Sequence, residues 1–139
     1  MPNTSITDTK RAIERLLTNT FSTLKIAYEG VDFKPPNDQL YLTVSFRVNQ
    51  PDDPVLGREY YRENISCTVL VVDVLNKGTS GAYTVAGQIR DLLDKGNTFV
   101  EGSTRIHVLR TPQVAGSAIT NQRVVVPVII SFVVEVQRT

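Results

Sequence analysis

Pro54-Val55-Leu56-Gly57-Arg58-Glu59-Tyr60-Tyr61-Arg62-Glu63-Asn64 runs without a break into Ile65-Ser66-Cys67-Thr68-Val69-Leu70-Val71-Val72. The later part reads as a strand extending from about Tyr60 to Leu75, long for a strand. Ser66, Thr68, Leu70, Val72 and Val74 fall on one face, and Ile65, Cys67, Val69, Val71 and Asp73 on the other. Both faces are apolar in the middle, which predicts a central strand covered on both sides. The earlier part is a charged, aromatic loop, and nothing beside it resembles an active site.

Upstream, the periodicity predicts a helix over Thr7 to Thr20. Ile6, Ile13, Leu16, Leu17, Phe21 and Leu24 form one stripe, opposite Lys10, Arg11, Glu14 and Arg15, with Ser5 or Thr7 as cap. Lys25 to Glu29 reads as a short strand, and the Pro35-Pro36-Asn37-Asp38 region as a loop. Leu40 to Val48 alternates apolar and polar residues, as a half-buried strand does. Downstream, Ala82, Val85, Ala86, Ile89, Leu92 and Leu93 mark the inner side of a helix over about Ala82 to Lys95, closed by Gly96. Gly87 inside it implies close packing on a sheet, and Asp91 with Lys95 a surface ion pair. Asn97 to Val100 and Thr104 to Leu109 are β segments, and Thr111 to Gln122 an irregular loop. The closing strand, Arg123 to Gln137, is the most hydrophobic, and Pro127 places it at an edge or at a bulge. These elements predict a single α+β domain spanning 1-139: a mainly antiparallel β-sheet with two helices packed on one face.

The bulk properties exclude several function classes. With 139 residues, 41% hydrophobic and 21% charged, the chain can bury a core without metals or disulfides. Fifteen basic residues against fourteen acidic ones give a formal charge of +1, with the signs interleaved, so no general attraction to nucleic acid or anionic lipid follows. Cys67 is the only cysteine, which leaves no internal disulfide and no cysteine metal cluster. The first residues lack a signal-peptide profile, and Val124 to Val134 is too short and interrupted to span a bilayer, so a cytoplasm-like compartment and no membrane are expected.

Chemistry-bearing patterns are equally sparse. His107 is the sole histidine, which removes metal clusters and a serine–histidine relay. Gly78-Thr79-Ser80-Gly81 lacks the lysine of a phosphate loop and reads as a turn and cap. Asp52-Asp53 and Glu59 with Glu63 read as solvated charge in or next to loops. No catalytic residue, metal site or cofactor is therefore expected.

What remains points to assembly. A mixture of Tyr, Arg and Glu is typical of protein interfaces, where aromatic and guanidinium groups are the anchors, so Leu56, Arg58, Tyr60, Tyr61 and Arg62 of this segment are candidate contacts. In the closing strand Val124, Val126, Val128, Ile130, Phe132, Val134 and Val136 can face the helices. Val125, Pro127, Ile129, Ser131 and Val133 then point the other way and also need cover. Val125, Ile129 and Val133 are the candidate contacts on that second face, covered by another subunit or by a long loop.

Taken in order, these segments resemble the small tail terminator proteins of long-tailed bacteriophages and prophages. The likeness runs from Ile13-Glu14-Arg15-Leu16 to the last strand. It includes Tyr28-Glu29-Gly30-Val31-Asp32-Phe33 before Pro35-Pro36, and Leu56-Gly57 with Tyr60-Tyr61-Arg62-Glu63. Arg110-Thr111-Pro112 and Val126-Pro127-Val128 complete it. The resemblance implies a virion protein without catalysis. It would be a homo-oligomeric ring, typically a hexamer, at the head-proximal end of the tail. Its partners would be the major tail tube protein and a head-completion or connector protein, and DNA would pass through the ring without specific binding. Two other readings stand beside it: another neck component, and a small nucleic-acid- or ligand-binding module using Arg58 and Arg62.

Overall fold

The computed structural model describes residues 4–36, 38–54, 56, 60–75, 78–102 and 104–137. Its elements follow the order α1 (Ser5–Thr20), β1 (Lys25–Ala27), β2 (Tyr41–Val48), β3 (Tyr60–Val74) and α2 (Ser80–Leu92). Then come β4 (Thr98–Glu101), β5 (Thr104–Val108), β6 (Gln113–Val114), β7 (Ala118–Thr120) and β8 (Arg123–Gln137). The strands form one sheet in the order β1-β2-β3-β8-β5-β4, with β6 and β7 also paired to β8. Among the described strands, β1 with β2 alone is parallel. This is the α+β architecture that the alternation of strands and helices predicts.

Side-chain alternation sets the layers. Leu42 and Val44 of β2, Ile65 to Val71 at odd positions of β3, Ile106 and Val108 of β5, and the even positions Val126 to Val134 of β8 are buried together. Ile13 and Leu17 of α1 and Ala82, Ala86, Ile89 and Leu93 beside or within α2 close the same core. Both helices thus cover one face, called the inner face below. Burying side chains of this size contributes roughly 1.5–3 kcal/mol each against leaving them in water.

Two polar ties hold α1 to the β4–β5 pair. The buried Asp8 accepts from Thr104 Oγ1 at 2.7 Å and from Thr4 Oγ1 at 2.9 Å. About two turns further on, Arg15 grips Glu101 with two bonds of 2.8 and 3.2 Å. Asp8 therefore fastens the start of the helix, and Thr4, not Ser5 or Thr7, is its N-cap. The helix begins earlier than its periodicity indicates, and Ile6 ends up 41% exposed, outside the apolar stripe.

Other expectations need correction. The segment Thr111 to Gln122 carries two short strands, because the Asn121-Gln122 turn folds β7 back on β8. Asn121 and Gln122 have φ of 51° and 61°, and Thr120 pairs with Arg123 across them, as a two-residue hairpin turn requires. Helix α2 stops at Leu92, so Asp91 and Lys95 do not share a helical face. A Cβ at Gly87 would meet nothing within 4 Å, so tight packing does not explain that glycine.

Pro127 lies at neither an edge nor a bulge of β8. That strand sits between β3 and the β5–β7 side, and its register with β3 is unbroken, with Leu70 opposite Pro127. The physical reason lies in the pointing of the backbone. Pro127 O accepts from Ala115 N–H at 2.9 Å. In an antiparallel strand the N and O of one residue point to the same neighbour, so the missing donor faces the break between β6 and β7. The partner segment, rather than β8, absorbs the irregularity: three residues, 115 to 117, span the interval opposite 126 and 127.

Candidate assembly interface

The outer face of the sheet is built from the alternate positions of the same strands. Val125, Pro127, Ile129, Ser131 and Val133 of β8 are half-buried there. Across from them on β3 stand Val72, Leu70, Thr68, Ser66 and Asn64. The sequence-predicted Val125, Ile129 and Val133 therefore lie in one column on one face. Leu70 and Val72 broaden its apolar half, whereas Ser66, Ser131 and Asn64 make the other half polar. Thr43, opposite Leu70, has a buried hydroxyl without a partner among the described residues.

A loop covers one end of this face. Phe33 packs on Tyr41 with ring centroids 5.3 Å apart, and Arg123 lies 5.5 Å above the same ring. The Arg123 guanidinium also donates to the Pro36 carbonyl. This shelters the Tyr41–Val72–Val125 end, so the long-loop alternative holds there. Ile129, opposite Gln113 of β6, and Val133, opposite His107 of β5, lie further along β8.

The loop ahead of β3 is pinned at its base. Asp52 and Arg62 exchange two backbone hydrogen bonds of 2.9 and 2.8 Å. Asn64 Nδ2 donates to Gln50 O at 2.9 Å and to Asp52 Oδ2 at 3.0 Å. On the outer side Arg62 Nε donates to Tyr60 Oη at 3.1 Å, and its guanidinium lies 6.0 Å from the Tyr60 ring centre. That hydrogen bond raises the arginine pKa further and holds the cation and ring as one exposed unit. Leu56 is fully exposed. Arg58 lies outside the described residues.

Tyr61 does not join this group. Strand alternation turns it to the inner face beside Val136, where it is 9% exposed. It supports the loop's base from within. Glu63, two residues on, also points inward and is buried, so it is not a solvated loop charge. Burial pushes its carboxyl above the usual range. The sequence signal for that was available: Glu63 has the same parity as Ile65 and Cys67.

Elsewhere little chemistry is assembled. His107 meets Thr98 Oγ1 at 3.1 Å and stands 4.0 Å from Glu135. Cys67 is buried, and the low-dielectric surroundings push its thiol pKa strongly upward. Among the described residues, no cluster of three or more His, Cys, Asp or Glu side chains is arranged for a metal ion. No described helix is long and apolar enough to cross a membrane.

A helix-backed, mostly antiparallel sheet with a half-buried apolar outer column defines an α+β fold. Comparison with known proteins gives the family. A family model described as phage tail terminator protein matches residues 9–132, and the chain belongs to that family. Its role is accordingly structural, in the phage tail, and its place is the virion. A solved structure has the same fold, with a TM-score of 0.76 and 18% identity. The match covers 99% of this chain and 100% of that one. No curated protein sequence matches the chain.

Proposed function

We propose that this chain closes into a ring on the head-proximal end of the finished tail tube, ends tube growth and offers the surface on which the head is joined. Six copies is the number that the resemblance implies. The observation that carries the reading is the outer face. Ile129 and Val133 stay half-buried there, on the face away from the buried core and beyond the end where Phe33 packs on Tyr41. A patch of that kind on β-forming sequence favours burial against another chain.

In a closed ring each copy uses two different patches, one to give and one to receive. Leu56, Arg58, Tyr60 and Arg62 make one contact group, and Val125, Ile129 and Val133 another. Tyr61 acts from inside the sheet. The partners are other copies of the chain, the major tail tube protein and a head-completion or connector protein. A nearly neutral chain suits a conduit through which DNA passes without being gripped. No catalytic step is assigned.

The test adds the purified chain to polymerising tail-tube subunits and measures tube length by electron microscopy. Growth should stop at defined lengths as the chain approaches one ring per tube end. Unlimited growth at excess chain would refute the proposal.

A further inference from the structure

The sheet has two open edges, and they match. β1 covers only Tyr41 to Thr43 of β2, so among the described residues Val44 to Val48 has β3 on one side and no strand on the other. At the other end of the strand order, β4 has β5 on one side only. Val48 and Val100, one on each edge, are 45% and 62% exposed. Neither stretch carries the lysine, proline or bulge that usually guards an edge; Arg47 is the sole charge on the β2 stretch.

Backbone phase decides which groups are free. Asn49 N–H donates to Asn64 O at 2.7 Å, one step beyond the Val48–Ile65 pair. Since pointing alternates along a strand, Ser45 and Arg47 bond to β3, whereas Phe46 and Val48 present N–H and C=O outward. On β4, Val108 N–H donates to Asn97 O at 2.9 Å. Phe99 and Glu101 therefore bond to β5, and Thr98 and Val100 point outward. Each edge offers donors and acceptors at the same two-residue spacing, so the arrays are complementary in partial charge.

Strand direction names the partner. Four antiparallel steps lead from β2 through β3, β8 and β5 to β4, so β4 runs in the same direction as β2. Rotation about an axis along the strands preserves both direction and face. One copy's β4 would then meet the next copy's β2 in parallel, with the helices of both on the same side. A parallel pair with Phe46 beside Phe99 uses only outward groups: Phe46 N–H to Thr98 O, Val100 N–H to Phe46 O, and Val48 N–H to Val100 O. It also keeps both rings on the inner face, where each already packs against the core. Antiparallel pairing of the same edges sets Phe46 against Thr98 or Val100 and throws neighbouring helices to opposite faces.

We infer that β4 of one copy adds in parallel to the open half of β2 of the next copy, Phe99 beside Phe46, so that the sheet continues from subunit to subunit. This inference rests on the ring proposed above. It assigns to sheet edges a contact that the outer-face residues alone would otherwise make.

Arg47 and Val100 are lateral neighbours on the outer face in this register, close enough for a disulfide. The native thiol, Cys67, is buried and stays silent. The full-length R47C/V100C variant, mixed with tail-tube subunits and oxidised, should give a ladder of covalent multimers ending at the ring number. R47C alone and V100C alone should give none. Normal tube-length control without a ladder would overturn the edge contact while leaving the terminator reading intact. Dimers of either single variant, or cross-links to the tube subunit, would overturn it in favour of another occupant. Unlimited tube growth with the parent chain and no ladder would sink both.

A second variant separates assembly from folding. Val100 N–H points away from β5, so Val100→Pro leaves the β4–β5 ladder intact and blocks the new one. Its melting temperature should stay within about 2 °C of the parent, with ring formation reduced about tenfold or more. Unchanged ring formation would overturn the inference.

Discussion

The two faces of β8 are made by one strand and differ in how completely they are buried. On the inner face Val126, Val128, Ile130, Phe132 and Val134 are at most 1% exposed. On the outer face Val125, Pro127, Ile129 and Val133 are half-buried, although three of the four are as β-branched and apolar as their inner counterparts. Residue type therefore does not distinguish the faces; the presence of α1 and α2 on one of them does. The outer face reverses this logic at its far end, where Asn64, Ser66 and Ser131 are polar. Near the same end the inner face holds the buried Glu63. The difference teaches that folding energy is concentrated on one side, and that the other side is free to be shaped by contacts outside the chain.

The largest expected effect comes from truncating the inner face. Phe132→Ala should cost about 3–5 kcal/mol in urea unfolding, since a fully buried aromatic leaves a cavity behind. A loss below about 1 kcal/mol would mean the helix layer is not packed as described. On the outer face, Ile129→Asp should shift monomer stability much less than Phe132→Ala, yet abolish control of tube length. Normal length control by a well-folded Ile129→Asp chain would break the contrast between the faces.

Gly87→Ala sharpens the comparison from the helix side. With open space around the added methyl, it should stabilise the chain by about 0.5–1 kcal/mol. If it also impairs ring formation, a neighbouring copy occupies that space. The smallest effect is a pH-dependent one. Burial raises the folded-state pKa of Glu63 above its unfolded value, so the folded chain holds that proton more firmly. The stabilisation this gives is complete below the ordinary carboxylate range and is lost as pH rises through the folded pKa. Glu63→Gln should therefore be more stable than the parent at neutral pH, and the two should converge below about pH 4. Parallel stability curves across that range would show that Glu63 is not desolvated.

Much of this arrangement was legible from side-chain period. The 3.6-residue stripe of α1 and the two-residue alternation of β2, β3 and β8 give the elements, the core and the column Val125–Ile129–Val133. Four features lay beyond reach for identifiable reasons. β6 and β7 are two and three residues long, and they exist only because β8 offers them an edge, so no local periodicity announces them. Pro127 bears on its own strand in the sequence, whereas the accommodation is in the neighbour. Tyr61 and Glu63 sit where an aromatic, charged loop becomes a strand, and composition there outweighed parity. The open edges of β2 and β4 depend on strand order, which no stretch of sequence contains by itself.

Pro127 also makes one flap of the sheet easier to lift than the rest. Opposite it, the run from Gln113 to Thr120 meets β8 in two short strands joined by one bond from Ala115 N–H to Pro127 O, and α2 holds it at Ser117, whose N–H donates to Tyr83 Oη at 3.0 Å. Ile119 gains little from shelter, at 70% exposed. The exposed end of this flap, Ala118 to Thr120, is held by three pairs to β8 and is expected to open before the trunk of the molecule. Its amides should trade hydrogen for deuterium long before those of Cys67 or Val69, which makes Ala118 to Thr120 a built-in gauge of whether something has clamped that margin shut.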